Sequence, residues 1–422
     1  MKKIIISLLC ISGLALSLGT HAQTWYDASE GGFYIFGQGW PLLSQKKFQR
    51  LPVTAKSKLN DQNLWNASLL NAGLYVRFRT DSKSVSVRFT LSKQAVQFYN
   101  MSTFGQSGVD LYARSSDGKT FHWIGNHLNY SFGTTATANF RNLVPQNMEG
   151  SDECEYILYM PSFNTVGKLE VGVDEGATFA YIPIPEEVEP IVVYGSSAVQ
   201  GSSASRPGNS WANMLGRQLD TPVVNLGFAN RAKLDEGVFK LMADLKPRVF
   251  IIDAMADMKD TPTQVKERVV AGVKILQAMT NRPVLLVESP GAPDASIRPT
   301  DAELHIQANQ QLRQAYDQLV EDGYTNLFLL TSEELALTAD DYLDGINPND
   351  LGMLHYAQAY ARKLAEIDEL KDPIIDGVSA PLSNGSQTTS RTYDLYGRPV
   401  STPTGTPLPH GIYIRDGKTL KF

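Results

Sequence analysis

The run Pro190-Ile191-Val192-Val193-Tyr194-Gly195-Ser196-Ser197-Ala198-Val199-Gln200-Gly201 carries the fold in miniature. Its unbroken apolar stretch describes a strand buried on both faces, and the glycine and serines that follow turn it into a helix-like stretch. A turn of this kind presents a hydroxyl at a sheet edge, which makes Ser197 the candidate nucleophile.

The same rhythm repeats toward the C-terminus. Apolar runs at residues 222–227, 249–253, 283–287 and 326–330 alternate with helical stretches such as 264–279 and 302–320. Continuous strands joined by helices predict a parallel sheet covered on both faces, with its site at the carboxyl ends of the strands. Ser197, Asn230, Asp257 and the loop around Asp344 each fall just past a strand or at a helix entrance, so they are expected to converge there.

Upstream, the pattern changes to short alternating runs at residues 73–79, 84–89, 109–113 and 156–160, separated by Gly, Asp, Ser and Asn. Period-two alternation predicts antiparallel strands, and their number predicts a sandwich. The fold class is therefore α/β: a parallel-sheet domain over residues 188–372, preceded by an all-β sandwich over residues 24–185, with a proline-rich linker around residues 182–190. Residues 379–422 open with a Ser/Thr/Asn/Gly-rich linker and close with a small β-hairpin tail. Trp25, Tyr26, Trp65, Tyr99 and Trp123 serve either as core and rim aromatics or as platforms for sugar rings.

A hydrophobic content of 42% and a charged content of 19% are those of a globular protein. Met1-Lys2-Lys3, the apolar residues 4–18 and Thr20-His21-Ala22 form the charged, greasy and small-residue zones of a secretory signal peptide over residues 1–22. Export is expected, to the cell surface or the medium, or to the periplasm if the tail has no sorting role. The formal charge of −6 becomes two units more negative once Lys2 and Lys3 leave, and the acidic residues are dispersed, which excludes nucleic acid as a partner. No later run reaches the roughly 18 apolar residues of a bilayer span, so the chain is not membrane-spanning. Cys10 leaves with the leader, Cys154 remains alone, and no intrachain disulfide can form.

Six runs, taken in order, carry a resemblance: Gly108-Val109-Asp110-Leu111-Tyr112, Gly195-Ser196-Ser197, Ala204-Ser205-Arg206-Pro207-Gly208, Asn225-Leu226-Gly227-Phe228, Lys233-Leu234-Asp235 and Asp344-Gly345-Ile346-Asn347-Pro348-Asn349-Asp350-Leu351-Gly352. Together they resemble the SGNH (GDSL-like) hydrolase family, in its secreted two-domain branch with an amino-terminal β-domain of GxDLY type. The nucleophile-elbow pattern Gly-x-Ser-x-Gly is absent, because Val199 holds its last place. The resemblance implies a flavodoxin-like parallel sheet and a carboxylic-ester hydrolase acting on acylated glycans or small acyl esters. In such enzymes the serine attacks a carbonyl, a histidine takes its proton, an aspartate orients the histidine, and backbone and asparagine N–H groups stabilise the oxyanion.

Laid on this chain, the resemblance puts Ser197 in the nucleophile's place and Asp344 in the orienting aspartate's place. The other three positions are substituted. Asn230 stands for the glycine, and can serve if its backbone adopts a left-handed conformation. Asp257 stands for the asparagine, and an ionised carboxylate there repels the developing oxyanion. Asn347 stands for the histidine, three residues after Asp344, and an amide cannot accept a proton near neutral pH. Weak or absent ester turnover is expected, with a glycan-binding role for the old cleft and the β-domain as the alternative.

Rescue by another base would fall to His355, His122 or His127. No cofactor is implied. Read as a cation site, Ser197, Asn230, Asp257, Asp344 and Asn347 would offer hard oxygen ligands suited to calcium, but chance polar residues in an idle cleft are the favoured account, and no metal is assigned. Arg206 is read either as a carboxylate binder at the cleft mouth or as a tie for loop carbonyls, and Arg231 as a partner for Asp257. The tail, with Tyr393-Asp394-Leu395, Gly397-Arg398, Gly411, Tyr413-Ile414 and Gly417-Lys418, resembles the C-terminal sorting domains of type IX secretion, which implies the secretion machinery as a partner.

Overall fold

A computed structural model describes residues 22–30, 34–41, 48–94, 98–127, 130–131, 133–145, 152–367, 392–394, 399–400, 412–415 and 418–421. The leader before Ala22, the Ser/Thr-rich linker, His410 and the tail residues Leu395, Gly397, Arg398, Gly411 and Gly417 lie outside them. The chain divides into two compact units, Met1–Asp376 and Gly377–Phe422.

The first unit begins with the expected sandwich. One antiparallel sheet runs Gln23–Asp27, Val166–Asp174, Val85–Leu91, Thr135–Phe140, Tyr130–Ser131. The other runs Phe179–Tyr181, Tyr75–Thr80, Cys154–Tyr159, Asp110–Arg114, Phe121–Ile124, with Ile35–Phe36 added beside Tyr75–Thr80. Val85, Val87, Phe89 and Leu91 alternate inward to meet Val76, Phe78, Leu111 and Leu158. Cys154–Tyr159 breaks that alternation and is buried at every position. The cause is that the sheet's outer face, with Phe36, Tyr75, Tyr112, Ile157 and Tyr159, forms a second apolar cluster. Against this face lies the α/β domain, whose Arg217 guanidinium sits 4.0 Å from the centre of the Tyr112 ring.

In the α/β domain five parallel strands, β1 (Ile191–Gly195), β2 (Val223–Gly227), β3 (Val249–Asp253), β4 (Val284–Val287) and β5 (Leu327–Leu330), lie in the order β2-β1-β3-β4-β5. This is the doubly wound order whose switch point falls between β1 and β3. Both faces are covered: Val192 and Tyr194 enter one core, while Ile191 and Val193 enter the other. The helices between and after these strands include α1 (Ser197–Gln200), α2 (Trp211–Gln218), α3 (Glu236–Met242), α4 (Met255–Met258), α5 (Val265–Met279), α6 (Pro299–Glu321) and α7 (Asp350–Glu366).

The segment between Ile35–Phe36 and Tyr75–Thr80 belongs physically to the α/β core that holds Val192 and Tyr194. Leu51, Ala55, Leu59, Leu64 and Trp65 pack with Val224, Leu226 and Phe239, so Trp65 is buried and offers no platform for a sugar. Arg50, 1% exposed, donates to the carbonyls of Ala67 (2.6 Å), Leu70 (2.8 Å), Asn225 (3.1 Å) and Gly227 (2.7 Å), which ties this segment to the end of β2.

In the second unit, Pro399–Val400, Thr392–Asp394, Ile412–Arg415 and Lys418–Lys421 make a four-stranded antiparallel sheet in that order. The tail expected as a small hairpin from residues 392–400 and 411–418 is thus four-stranded among the described residues, with Lys418–Lys421 paired to Ile412–Arg415.

Candidate active site

Ser197 is held at the carboxyl edge of the sheet by a turn that only glycine permits. A Cβ on Gly195 would lie 2.2 Å from the Asp253 carbonyl oxygen, and one on Gly227 would lie 2.3 Å from the Gln200 nitrogen. Ser196 N donates to that same Asp253 carbonyl at 3.0 Å, which fixes the turn against β3. The chain then enters α1 and leaves it at Gly201, whose φ of 95° is left-handed.

The hydroxyl of Ser197 donates to Asn347 Oδ1 at 2.9 Å. Asn347 Nδ2 in turn donates to Asp344 Oδ2 at 2.9 Å, and Asn347 N donates to Asp344 Oδ1 at 2.7 Å. Asp344 also accepts from Ile346 N (3.0 Å), from the Asn100 amide (3.2 Å) and from the Tyr99 hydroxyl (3.4 Å). Partial burial works to raise this carboxyl, but the bonds from Asn347, Ile346 and Asn100 outweigh it and hold the group below the usual carboxylate range. An ionised carboxylate only accepts, so the amide must turn Nδ2 toward Asp344 and Oδ1 toward Ser197. The three side chains thus form a hydrogen-bond relay with a carboxamide in the middle. It orients the hydroxyl, but an amide oxygen cannot carry away its proton near neutral pH.

Asn230 has a φ of 61°, the left-handed conformation that glycine would supply, so its main-chain N–H can be presented as a glycine's would be. Asp257 is buried, and its Oδ2 accepts from Ala232 N at 2.9 Å. Burial pushes its carboxyl up to about 6, against the pull of that bond and of Lys233. At pH 7 it is still mainly ionised, and below about 6 it becomes a donor. Arg231 does not partner it: its guanidinium lies 3.6 Å from Asp61, while the Lys233 ammonium donates to the main-chain carbonyl of Asp257. The pairing expected from sequence is corrected because residue 231 faces outward and residue 233 turns back toward α4.

The histidines singled out as substitutes stand elsewhere. His355 Nδ1 lies 2.7 Å from Asp341 Oδ1, on the face of α7. His122 is exposed on Phe121–Ile124, and His127 is exposed in a loop at a φ of 48°. His305 shares the cleft instead. This cleft of about 130 Å³ is lined by Ser197, Asn230, Asp257, Ser289, His305 and Tyr356, among others. His305 and Ser289 were not singled out from the sequence. The available signal was a serine just beyond the end of β4 and a His/Asn pair four residues apart near the start of a helix.

A larger cavity, about 310 Å³, is lined by Lys119, Thr120, Phe121, Met214, Arg217, Gln218 and Leu354, and neither Ser197 nor a histidine is among them. Chemistry rather than volume therefore locates the candidate site. Among the described residues, no three His, Cys, Asp or Glu side chains gather to hold a metal ion. No helix among them is long and apolar enough to cross a membrane.

The Gly108–Tyr112 motif works at the seam between the two domains. Asp110, 1% exposed, accepts from Gly208 N (3.0 Å) and the Trp123 indole (2.6 Å), with Arg206 Nε at 3.4 Å. Burial pushes its carboxyl up to about 6. Arg206 also lies over Trp123, 4.3 Å from the ring centre. It binds a carboxylate, as one expectation held, but that carboxylate is Asp110 of the β-domain. Tyr99, 88% exposed, and Trp123, 47% exposed, keep open surface, whereas Tyr26 stacks on Phe179 and Trp25 lies under Arg88.

Residues 188–365 match the GDSL-like lipase/acylhydrolase family, and residues 23–179 match the N-terminal domain of SGNH-hydrolase-type esterases. No curated protein matches the chain. Among solved structures, one from Bacteroides ovatus described as a GDSL-like lipase is 25% identical, with 83% of this chain and 99% of that chain covered and a TM-score of 0.72. A salicylyl-acyltransferase from a tetracycline biosynthetic pathway is 16% identical, with 82% and 98% covered and a TM-score of 0.64. A family two carbohydrate esterase from Cellvibrio japonicus is 10% identical, with 83% and 99% covered and a TM-score of 0.54. These last two share the fold.

Proposed function

Because the chain belongs to the GDSL-like lipase/acylhydrolase family, with the amino-terminal domain of SGNH-type esterases before it, we propose that its cleft receives acylated glycans or small acyl esters and that Ser197 turns them over slowly. The relay Ser197–Asn347–Asp344 carries this reading. It keeps the oriented hydroxyl and the orienting carboxylate of an acyl-transfer site but puts an amide where the proton must go. Asp257 adds to the deficit, since at neutral pH it opposes an oxyanion.

Two observations favour a sugar as the acyl carrier. Tyr99 presents an open aromatic face while its hydroxyl reaches Asp344, so a ring stacked on it would bring its substituents to the mouth of the cleft. The fold is also that of a carbohydrate esterase. Calorimetry with a panel of acetylated oligosaccharides tests the reading. Binding that weakens in Tyr99→Ala, with slow release of acetate, is the expected result. No binding across the panel, or brisk hydrolysis abolished by Ser197→Ala, would overturn it.

The same proposal includes export through the residue 1–22 leader and passage by a sorting tail at residues 392–422. Deletion of residues 390–422 is expected to strip the protein from the cell surface, and surface protein that persists without them refutes the sorting role.

A further inference from the structure

Asn347 leaves Ser197 without a base, yet the same cleft contains a serine that has one. Ser289 lies just beyond the carboxyl end of β4, and its Oγ stands 2.6 Å from Nδ1 of His305 in the second turn of α6. Ser289 is only 1% exposed, and what it exposes lines the cleft. Three more bonds fix it. Ser289 N donates to Asn309 Oδ1 at 2.8 Å, Asn309 Nδ2 donates back to Ser289 O at 2.8 Å, and Gly291 N donates to Ser289 Oγ at 3.3 Å.

His305 and Asn309 are four residues apart, so one face of α6 grips both the main chain and the hydroxyl of Ser289. The Gly291 N–H occupies one lone pair on Oγ, and in the His305 tautomer that carries its proton on Nε2 the hydroxyl hydrogen points at an unprotonated Nδ1. Burial holds His305 below the usual imidazole value, aided by Lys259 and opposed by Asp260 and by Asp301 on its own helix, so the ring is neutral at pH 7. A serine held rigidly against a neutral imidazole inside a cleft is the arrangement a serine nucleophile needs.

We propose that Ser289 and His305 form a second nucleophile–base pair, which acts on the acyl group of an ester bound in this cleft. The proposal rests on the reading of the cleft as an acyl-ester site. Ser289 Oγ bonds to the acyl carbon while Nδ1 of His305 takes the hydroxyl proton. The bond from that carbon to the leaving alcohol then breaks, and the alcohol takes the proton from His305. Water next adds to the acyl-serine, giving one proton to His305. The carboxylic acid leaves as that proton returns to Ser289 Oγ. Water is the only co-reactant.

The test is to treat the full chain with a fluorophosphonate probe at pH 7.5 and to map the adduct by tandem mass spectrometry. The expected result is phosphonylation of Ser289. Labelling should be lost in Ser289→Ala and slowed by about 10²-fold or more in His305→Gln. Its rate should rise with pH through an ionisation below 6.5 and level off above it. A purely structural Ser–His contact would lower the melting temperature of His305→Gln and leave the wild-type chain unlabelled. An adduct confined to Ser197, or none at all on folded wild-type protein, overturns the proposal, and this outcome needs no variant to fold. Glycan affinity is measured separately, so failure of the acyl-ester reading would show there and not in the adduct map.

Discussion

Replacing Asn347 by His should restore to Ser197 the proton acceptor that the relay lacks. Asn347 is 6% exposed, and its amide already spans the gap between the hydroxyl and the carboxylate at 2.9 Å on each side. An imidazole at this position can donate from Nδ1 to Asp344 and accept from Ser197 at Nε2, the tautomer an acceptor-only carboxylate selects. General-base catalysis contributes about 10²- to 10⁴-fold, or roughly 3 to 5.5 kcal/mol at about 1.36 kcal/mol per tenfold. The ring is longer than the amide and must press into the adjoining cleft of about 130 Å³. The lower half of that range, about 10²- to 10³-fold, is therefore the expected gain. Adding Asp257→Asn, which exchanges a repelling carboxylate for an amide donor, should contribute a further 10²-fold or so. The assay is hydrolysis of 4-nitrophenyl acetate in a Ser289→Ala background, so that any gain reports Ser197 alone. The gain must vanish with Ser197→Ala. If a crystal structure shows the imidazole seated between Ser197 and Asp344 and the rate has not risen, the missing base is not what limits this site and the reasoning fails.

Asp257 also links the site to stability. Its folded value of about 6 lies above the roughly 3.9 of an unfolded chain, so the stability of the protonated form is full below about pH 4 and is lost as pH rises through about 6. Asp257→Asn keeps an acceptor for Ala232 N and removes that loss, worth at most about 3 kcal/mol for a shift of roughly two units. Thermal melts should therefore show the variant gaining on wild type at pH 8 and not at pH 4, and equal differences at both would refute the assignment. Arg50→Met should destabilise the chain by about 4 kcal/mol or more in urea titrations, because four carbonyls in the buried seam lose their donor at about 1 kcal/mol or more each. A loss below about 1 kcal/mol would mean that water replaces the guanidinium.

Much of the fold was legible because periodicity reports which faces of an element are buried. The unbroken apolar runs predicted β1 to β5, and the alternating runs predicted four of the sandwich strands, Tyr75–Thr80, Val85–Leu91, Asp110–Arg114 and Cys154–Tyr159. The resemblance to the SGNH family, in which the orienting aspartate precedes the base by three residues, pointed to Asp344 and Asn347, and the two are hydrogen-bonded in the structure. Periodicity misled where two domains meet. Cys154–Tyr159 is buried on both faces because the α/β domain covers the side that alternation would leave to solvent.

The sequence by itself determined the order of the layers, the serine at the sheet edge and the side chains that stand at residues 257 and 347. These follow from local conformational preference and from side-chain chemistry, which travel with the chain. Only the tertiary structure decided that Arg206 meets Asp110, that Arg231 meets Asp61, and that His305 stands against Ser289 across 16 residues. Such pairings depend on which strand ends and helix starts are brought to one edge of the sheet, and the separation of two residues along the chain does not encode that.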